Sequence, residues 1–188
     1  MQTATSFSFS ANPKSTVALL TISSSLSNTY VPSSPQGTWT FIGGVTGYSG
    51  AMWMGTGLSL SPFSLTLSGG VVNSVTGCLL APLFNAKGNH SPVVQLNGAS
   101  TKIITPAPIT VSSASLLAFF LSTINPSANS VEPNDSIGLL VPVFDGNSVS
   151  PSWQSFLSIL PVVPGTYSPD ALLTTAPTSW EAFTTVIT

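Results

Sequence analysis

Apolar and hydroxyl side chains alternate along much of this chain, and that alternation constrains the fold more than any other feature. Phe7 and Phe9 alternate with serines in TSFSFS, and Trp39 and Phe41 alternate with threonines in TWTF. A period of two puts successive side chains on opposite faces of a strand, so that one face is apolar and the other polar. The pattern therefore predicts half-buried β-strands.

The phase of the alternation changes once within a short stretch, LSLSPFSLTLS. Before Pro62 the apolar residues are the even-numbered Leu58 and Leu60, and afterwards they are the odd-numbered residues from Phe63 to Leu67. A slip of one residue turns every side chain over, and a proline cannot donate to a β-ladder. We expect a bulge or bend at Pro62, with Leu58 and Leu60 pointing into the same core as the residues that follow.

Turn residues separate the predicted strands. Asn97–Gly98 lies between VVQL and ASTKII and predicts a hairpin, because a type I′ turn needs positive φ at both positions. Asp145–Gly146 predicts a second turn. The segment 109–124 fits one long strand, two strands or a buried helix, and its β-branched residues favour strand. Together these signals predict an all-β fold, an antiparallel β-sandwich or a jelly-roll-like barrel, as a single domain over residues 1–188.

The C-terminal segment, residues 150–188, has a different pattern that predicts short helices. Pro151 suits the first turn of a helix, and Thr178 with Glu181 matches a T-x-x-E capping box. The stretch SPDALL predicts a further short helix. Apolar residues recur at helical spacing behind these starts, at Trp153, Phe156, Leu157 and Leu160 and again at Trp180, Phe183 and Ile187.

The chain is almost without charge, and this excludes several classes of partner. Charged residues make up 4% of the sequence, against roughly a quarter in soluble proteins. Three scattered lysines, Lys14, Lys87 and Lys102, cannot form the basic patch that nucleic acid requires. The longest apolar run, residues 116–121, is far short of a transmembrane helix. We therefore expect no nucleic-acid contact and no membrane span.

Residues able to do chemistry are as scarce as charges. His90 is the only histidine and Cys78 the only cysteine, and no G-x-S-x-G or phosphate-binding glycine motif occurs. We expect His90 to be a polar loop residue and Cys78 to be a buried inert thiol, and we expect no enzyme. Calcium is the one cofactor left open, since loops near EPND and DGN offer oxygen ligands, although turn formation explains both stretches without metal. These candidate ligands are Glu132, Asp135, Asp145 and Asn147.

The stretch GAMWMGTG has two interpretations. Met52, Trp53 and Met54 lie between glycines, and aromatic residues and methionines are enriched at interfaces, so they are interface candidates. The alternative is a core strand with Trp53 pointing inward. The sequence favours the core strand.

No tandem repeat is visible in the sequence. The charged residues, however, are divided unequally along the chain. Residues 1–131 carry all three lysines and no acid, whereas residues 132–188 carry all five acids and no base. Such a division favours head-to-tail contact between copies of the chain, and chance clustering of eight charges explains it equally well.

These observations predict a non-enzymatic structural subunit. In general character the chain resembles the small β-sandwich or jelly-roll coat proteins of icosahedral viruses, in composition and architecture and not through any motif. That resemblance implies a virion protein, made in the host cytoplasm, whose partners are its own copies and other virion subunits. Because a basic N-terminal arm is missing, we expect an outer or protruding subunit. The alternatives are an extracellular adhesion or filament subunit at the cell surface and a carbohydrate-binding β-module.

Overall fold

The computed structural model describes most of the chain and confirms the all-β prediction. The described residues are 6–24, 30–44, 50–70, 76–99, 101, 103–125, 131–133, 141–145 and 152–188. They form seventeen strands, all paired antiparallel, and contain no helix. The chain divides into two compact units, Met1–Asn89 (unit 1) and His90–Thr188 (unit 2). Two compact units can belong to one domain, so the single domain expected over 1–188 stays a prediction.

Unit 1 is a two-layer sandwich. A three-stranded sheet has the order β1-β6-β3, and a four-stranded sheet has the order β4-β5-β2-β7. Leu20 and Trp53 of the larger sheet pack with Leu65 and Leu67 of the smaller one, which closes an apolar core between the layers. The strands are β1 (Ser6–Ala11), β2 (Val17–Ser24), β3 (Val31–Ser33), β4 (Thr38–Gly44), β5 (Gly50–Thr56), β6 (Phe63–Ser68) and β7 (Thr76–Pro82).

Unit 2 is built around a five-stranded sheet of order β13-β14-β11-β17-β8. Two small sheets, β12-β16-β9 and β10-β15, supply apolar residues to the clusters on one of its faces: Ile104 packs with Phe119, and Ile109 packs with Leu117. The strands are β8 (Val94–Gly98), β9 (Ile103–Ile104), β10 (Ile109–Val111), β11 (Ser115–Asn125), β12 (Val131–Pro133), β13 (Val141–Asp145), β14 (Ser152–Val162), β15 (Gly165–Tyr167), β16 (Ala171–Leu173) and β17 (Ser179–Ile187).

The two units share one strand order. The sequence β4-β5-β2-β7 in unit 1 matches β13-β14-β11-β17 in unit 2, where β8 is added beyond β17. In the smaller layer β3 matches β12. Two short strands of unit 2, β9 and β10, take the place of β1, and two others, β15 and β16, take the place of β6. Both larger sheets also carry an irregularity at the corresponding edge, between Phe41 and Gly43 in β4 and between Pro142 and Phe144 in β13. The chain therefore contains the same sandwich topology twice.

The short helices predicted for residues 150–188 are wrong. Pro151 lies outside the described residues, β14 and β17 occupy the two longer stretches, and SPDALL contains β16. Both long strands pair with β11, which places Leu121 between Phe156 and Ala182. In a strand buried on both faces, apolar residues occupy successive positions, and such a run also contains the spacing of an apolar helix face. The proposed capping pair, Thr178 and Glu181, therefore caps nothing.

The hairpin predicted at Asn97–Gly98 is also wrong. The strands on either side enter different sheets, because β8 pairs with β17 and β9 pairs with β16. Gly98 lies opposite Trp180, and a Cβ at this position would stand 2.8 Å from the indole ring. The glycine makes room for a neighbouring aromatic side chain. Asp145 ends β13, and the turn expected at Asp145–Gly146 lies outside the described residues.

The break in alternation at Pro62 is confirmed, but one of its consequences is not. Residues 57–62 form no strand and β6 begins at Phe63. Leu58 is buried and its N–H donates to Thr16 O at 3.0 Å, whereas Leu60 is 63% exposed. Without a strand before the proline, nothing forces Leu58 and Leu60 onto one face. The ambiguous segment 109–124 is confirmed as strand and contains β10 and most of β11.

Candidate interaction surface

The outer face of the three-stranded sheet in unit 1 consists of hydroxyl side chains, except at Val31, which is 47% exposed. Phe9 of β1 and Leu65 of β6 lie opposite each other and point into the core, so the alternate residues of both strands point outward. Pro32 of β3 is likewise buried between two exposed neighbours. The outward hydroxyl residues, termed here the hydroxyl face, are Ser6, Ser8, Ser10, Ser33, Ser64, Thr66 and Ser68.

The hydroxyl face can form hydrogen bonds but carries no charge. Ser8 Oγ and Thr66 Oγ1 lie 2.7 Å apart across the two strands, and Ser68 Oγ donates to Val31 O at 3.4 Å. Covering a hydroxyl costs about 1–3 kcal/mol if no partner replaces water, far less than covering an ion. Such a face suits close contact with another protein surface. A hollow of about 400 Å³ adjoins it, lined by Ser8, Phe9, Ser10, Pro62, Phe63 and Ser64.

The corresponding layer of unit 2 has a different outer surface. Ile103 and Leu172 lie opposite each other on β9 and β16 and are 60% and 42% exposed. On the neighbouring small sheet the exposed residues Thr110 and Thr166 form a cross-strand pair. This layer therefore shows an apolar pair and a threonine pair, where unit 1 shows seven hydroxyl side chains and one exposed valine, Val31.

The interface candidates Met52, Trp53 and Met54 are all buried, and Trp53 packs in the core between the two sheets of unit 1. All three are buried on β5, the most accessible being Trp53 at 9%. Trp53 contacts the ring of Phe41 edge-on, with the centroids 5.1 Å apart. The structure thus places the three candidates in a buried strand, with the indole of Trp53 pointing into the core.

The calcium candidates are only partly described. Asp135 and Asn147 lie outside the described residues. Glu132 lies in β12 and Asp145 ends β13, two strands that belong to different sheets. Over the portion of the chain that the structure describes, no cluster of three or more His, Cys, Asp or Glu residues could hold a metal ion.

His90 lies at the start of unit 2 and helps to hold its last strand. It forms an isolated bridge with Ile187, and its Nδ1 lies 2.9 Å from Ser91 O. Ser91 then bonds twice to Val186, through its N–H at 2.8 Å and through its Oγ at 3.0 Å, and its carbonyl accepts from Thr185 Oγ1. These contacts attach the end of β17 to the first residues of unit 2.

Cys78 is half-buried on β7, on the side of the strand that faces the core. Burial raises the pKa of its thiol, because the thiolate loses hydration. The thiol is therefore protonated near neutral pH and is a poor nucleophile.

A buried carboxylate is the polar feature that the sequence did not predict. Glu181 is fully buried on β17, opposite Asn97 of β8 and Ser122 of β11. Ser122 in turn accepts a hydrogen bond from Ser155 Oγ of β14 at 3.2 Å. The four residues form a polar row across the five-stranded sheet. If SWEAFTTVI is taken as a strand, Glu181 lies on the same face as Phe183, so the alternation of side chains along the strand would have predicted a buried glutamate.

Comparison with known proteins finds no family model, no curated protein and no solved structure that matches this chain. Within the described ranges, no helix has the length and apolar character needed to cross a membrane.

Proposed function

We propose that this protein is a non-enzymatic structural subunit that assembles with copies of itself and with other subunits on the outside of a virion. The observation that carries the proposal is the hydroxyl face, an array of seven hydroxyl side chains without a charged group. Soluble monomers keep apart through surface charge, and this face has none. A subunit whose surface becomes covered in an assembly does not need that protection.

The few charges of the chain are divided unequally between the two units. Unit 1 holds Lys14 and Lys87 without an acid, a net charge of +2. Unit 2 holds Lys102 and the five acids, and 1 − 5 gives −4. The two sum to the −2 of the whole chain. Glu181 is fully buried, so this division of charge does not decide which surfaces meet, and the hydroxyl face carries the proposal.

The carbohydrate-binding alternative has less support. Sugar sites commonly stack a sugar on an exposed tryptophan ring, but Trp53 and Trp180 are buried. Trp39 is half-buried and its Nε1 donates to Ser34 Oγ at 3.0 Å. The adhesion or filament alternative differs from the virion proposal in the shape of the assembly. Closed shells or rings in negative-stain micrographs support a virion subunit, and open filaments support the alternative.

A pair of charge substitutions tests the hydroxyl face. Ser8→Lys with Thr66→Lys places two ammonium groups on its central cross-strand pair. The matched control is Thr110→Lys with Thr166→Lys, the exposed pair of unit 2. Light scattering after size-exclusion chromatography should show the wild-type and control proteins as assemblies and the Ser8/Thr66 variant as smaller species. A wild-type protein that stays monomeric at high concentration would overturn the proposal, and so would equal assembly of all three.

A further inference from the structure

The edges of the larger sheets differ in how well they are protected against pairing with another strand. An exposed edge presents unpaired N–H and C=O groups, and proteins commonly shield it with bulges, short strands or charges. The β4 and β13 edges each carry an irregularity, and β8 is only five residues long. The β7 edge has seven residues, an unbroken ladder to β2 and no charge. Among the described strands, β2 is its only hydrogen-bonded neighbour.

The phase of the β2–β7 ladder shows which backbone groups of β7 point outward. Leu83 N–H donates to Val17 O at 2.9 Å, and these two residues continue the register that pairs Ala18 with Pro82. Hydrogen-bonded pairs alternate along an antiparallel ladder, so the odd-numbered residues of β7 bond to β2. The N–H and C=O groups of the even-numbered residues, Thr76, Cys78 and Leu80, point away from the sheet. Pro82 is the next outward position, where the missing N–H ends the edge.

The counterpart of this edge in unit 2 is already covered. β17 occupies the place of β7 in the shared strand order, and β8 lies antiparallel along its outer side, from Thr184 opposite Val94 to Trp180 opposite Gly98. The fold therefore accepts an antiparallel strand at this edge without a change in the strands behind it. In unit 1, none of the described strands lies along the outer side of β7.

We infer that β7 pairs antiparallel with β7 of a second copy, so that two four-stranded sheets become one sheet across a two-fold axis. The inference rests on the proposed function, and it names the strand through which copies meet. Pairing centred on Cys78 sets Thr76 opposite Leu80 in both directions and engages every outward N–H of the edge, giving about six backbone hydrogen bonds. The strand carries no charge, so identical strands meet without repulsion.

A proline at the start of the edge tests the inference. Thr76→Pro removes an outward N–H that the β2 ladder does not use, and the first residue of a strand tolerates proline. Thr76→Val is the matched control, because it keeps the N–H and the shape of the side chain. We expect Thr76→Pro to weaken self-association at least about 10-fold, since two of about six hydrogen bonds are lost and the ring obstructs the partner. Thr76→Val should associate like the wild type in sedimentation velocity.

Hydrogen exchange gives a second readout that does not depend on a variant. The amides of Cys78 and Leu80 should exchange at least about 10-fold more slowly in concentrated than in dilute protein, while the amide of Leu79, bonded to β2, should change less. Association of the wild type with unchanged exchange at Cys78 and Leu80, or with full association of Thr76→Pro, would overturn the β7 inference and leave the proposed function standing. A wild-type monomer at every concentration would overturn both.

Discussion

Units 1 and 2 have the same strand order, yet they present different surfaces. Their inner residues follow one plan, in which a larger and a smaller layer enclose apolar side chains. Outside, unit 1 has the hydroxyl face and a β7 edge that no other described strand covers, whereas unit 2 has the exposed pair Ile103 and Leu172 and an edge covered by β8. The two units share this strand order because both enclose an apolar core between two layers. The surfaces through which a unit can associate depend instead on the side chains and strand edges that it leaves exposed.

The units also differ in the length of their central ladders. The β11–β14 ladder of unit 2 has eleven residue pairs, and the β2–β5 ladder of unit 1 has seven. Longer strands bury more side chains on both faces, and Phe120 and Phe183 stack with centroids 5.9 Å apart. Unit 2 is therefore the unit in which a single core substitution should be most damaging.

The largest expected effect is on the stacked pair of unit 2. Phe183 is fully buried, and Phe183→Ala should lower the free energy of unfolding by about 3–5 kcal/mol, through lost transfer free energy and the cavity left behind. Phe84→Ala is the matched control in unit 1, where the ring is 62% exposed, and it should change the free energy by less than about 0.5 kcal/mol. Urea denaturation followed by circular dichroism measures both. Equal losses would mean that Phe183 does not lie in a packed core.

A smaller loss of stability is expected at a feature that both units share, a glycine that lies opposite a tryptophan on the neighbouring strand. Gly98 faces Trp180 in unit 2 and Gly55 faces Trp39 in unit 1, and a Cβ at either glycine would lie 2.8 Å from the ring. Gly98→Ala and Gly55→Ala should each destabilise the protein by about 1–3 kcal/mol through overpacking.

The control for these substitutions is a glycine with room beside it. At Gly165 the three atoms nearest to an added Cβ all belong to Tyr167, and the nearest would lie 3.5 Å away. Gly165→Ala should therefore be neutral or stabilise by up to about 1 kcal/mol, because alanine restricts the unfolded chain. Denaturation midpoints that fall equally for all three variants would show that the tryptophans are not the cause.

The smallest effect is expected in the pH dependence of stability. Burial raises the pKa of the Cys78 thiol in the folded protein, so the unfolded chain loses this proton at lower pH than the folded chain does. The stability contribution is fully present below the unfolded pKa, near 8.5, and is lost as pH rises through the folded pKa. Denaturation at pH 7–10 should show a decline that is shallower in Cys78→Ala. Parallel curves for the two proteins would contradict the assignment.

Sequence reasoning succeeded where one face of a strand meets water. In β1 and β6 the alternation around Phe9 and Leu65 marks the core face correctly, because every second residue faces water and has a hydroxyl side chain. It failed where both faces are buried, since β14 and β17 contain apolar runs that also fit a helix. It also misread Asn97–Gly98, whose glycine accommodates Trp180 from another strand, a contact that only the fold creates.

The shared topology was invisible in the sequence for a related reason. Two strands of the smaller layer in unit 1 correspond to four short strands in unit 2, and the paired ladders differ in length. Such changes remove any fixed sequence period while the strand order is kept. The hydroxyl face, in contrast, follows directly from the alternation of Ser8 and Ser10 with Phe9, once β1 and β6 are known to be neighbours.

The central claim is that copies of this chain meet through the uncovered surfaces of unit 1. Hydrogen–deuterium exchange of wild-type protein, compared between a dilute and a concentrated sample, tests it most directly. We predict slower exchange at high concentration in peptides that cover residues 6–11, 63–68 and 76–82, with little change in peptides that cover 109–111 and 165–173. Identical exchange in both samples, or protection confined to unit 2, would contradict the claim.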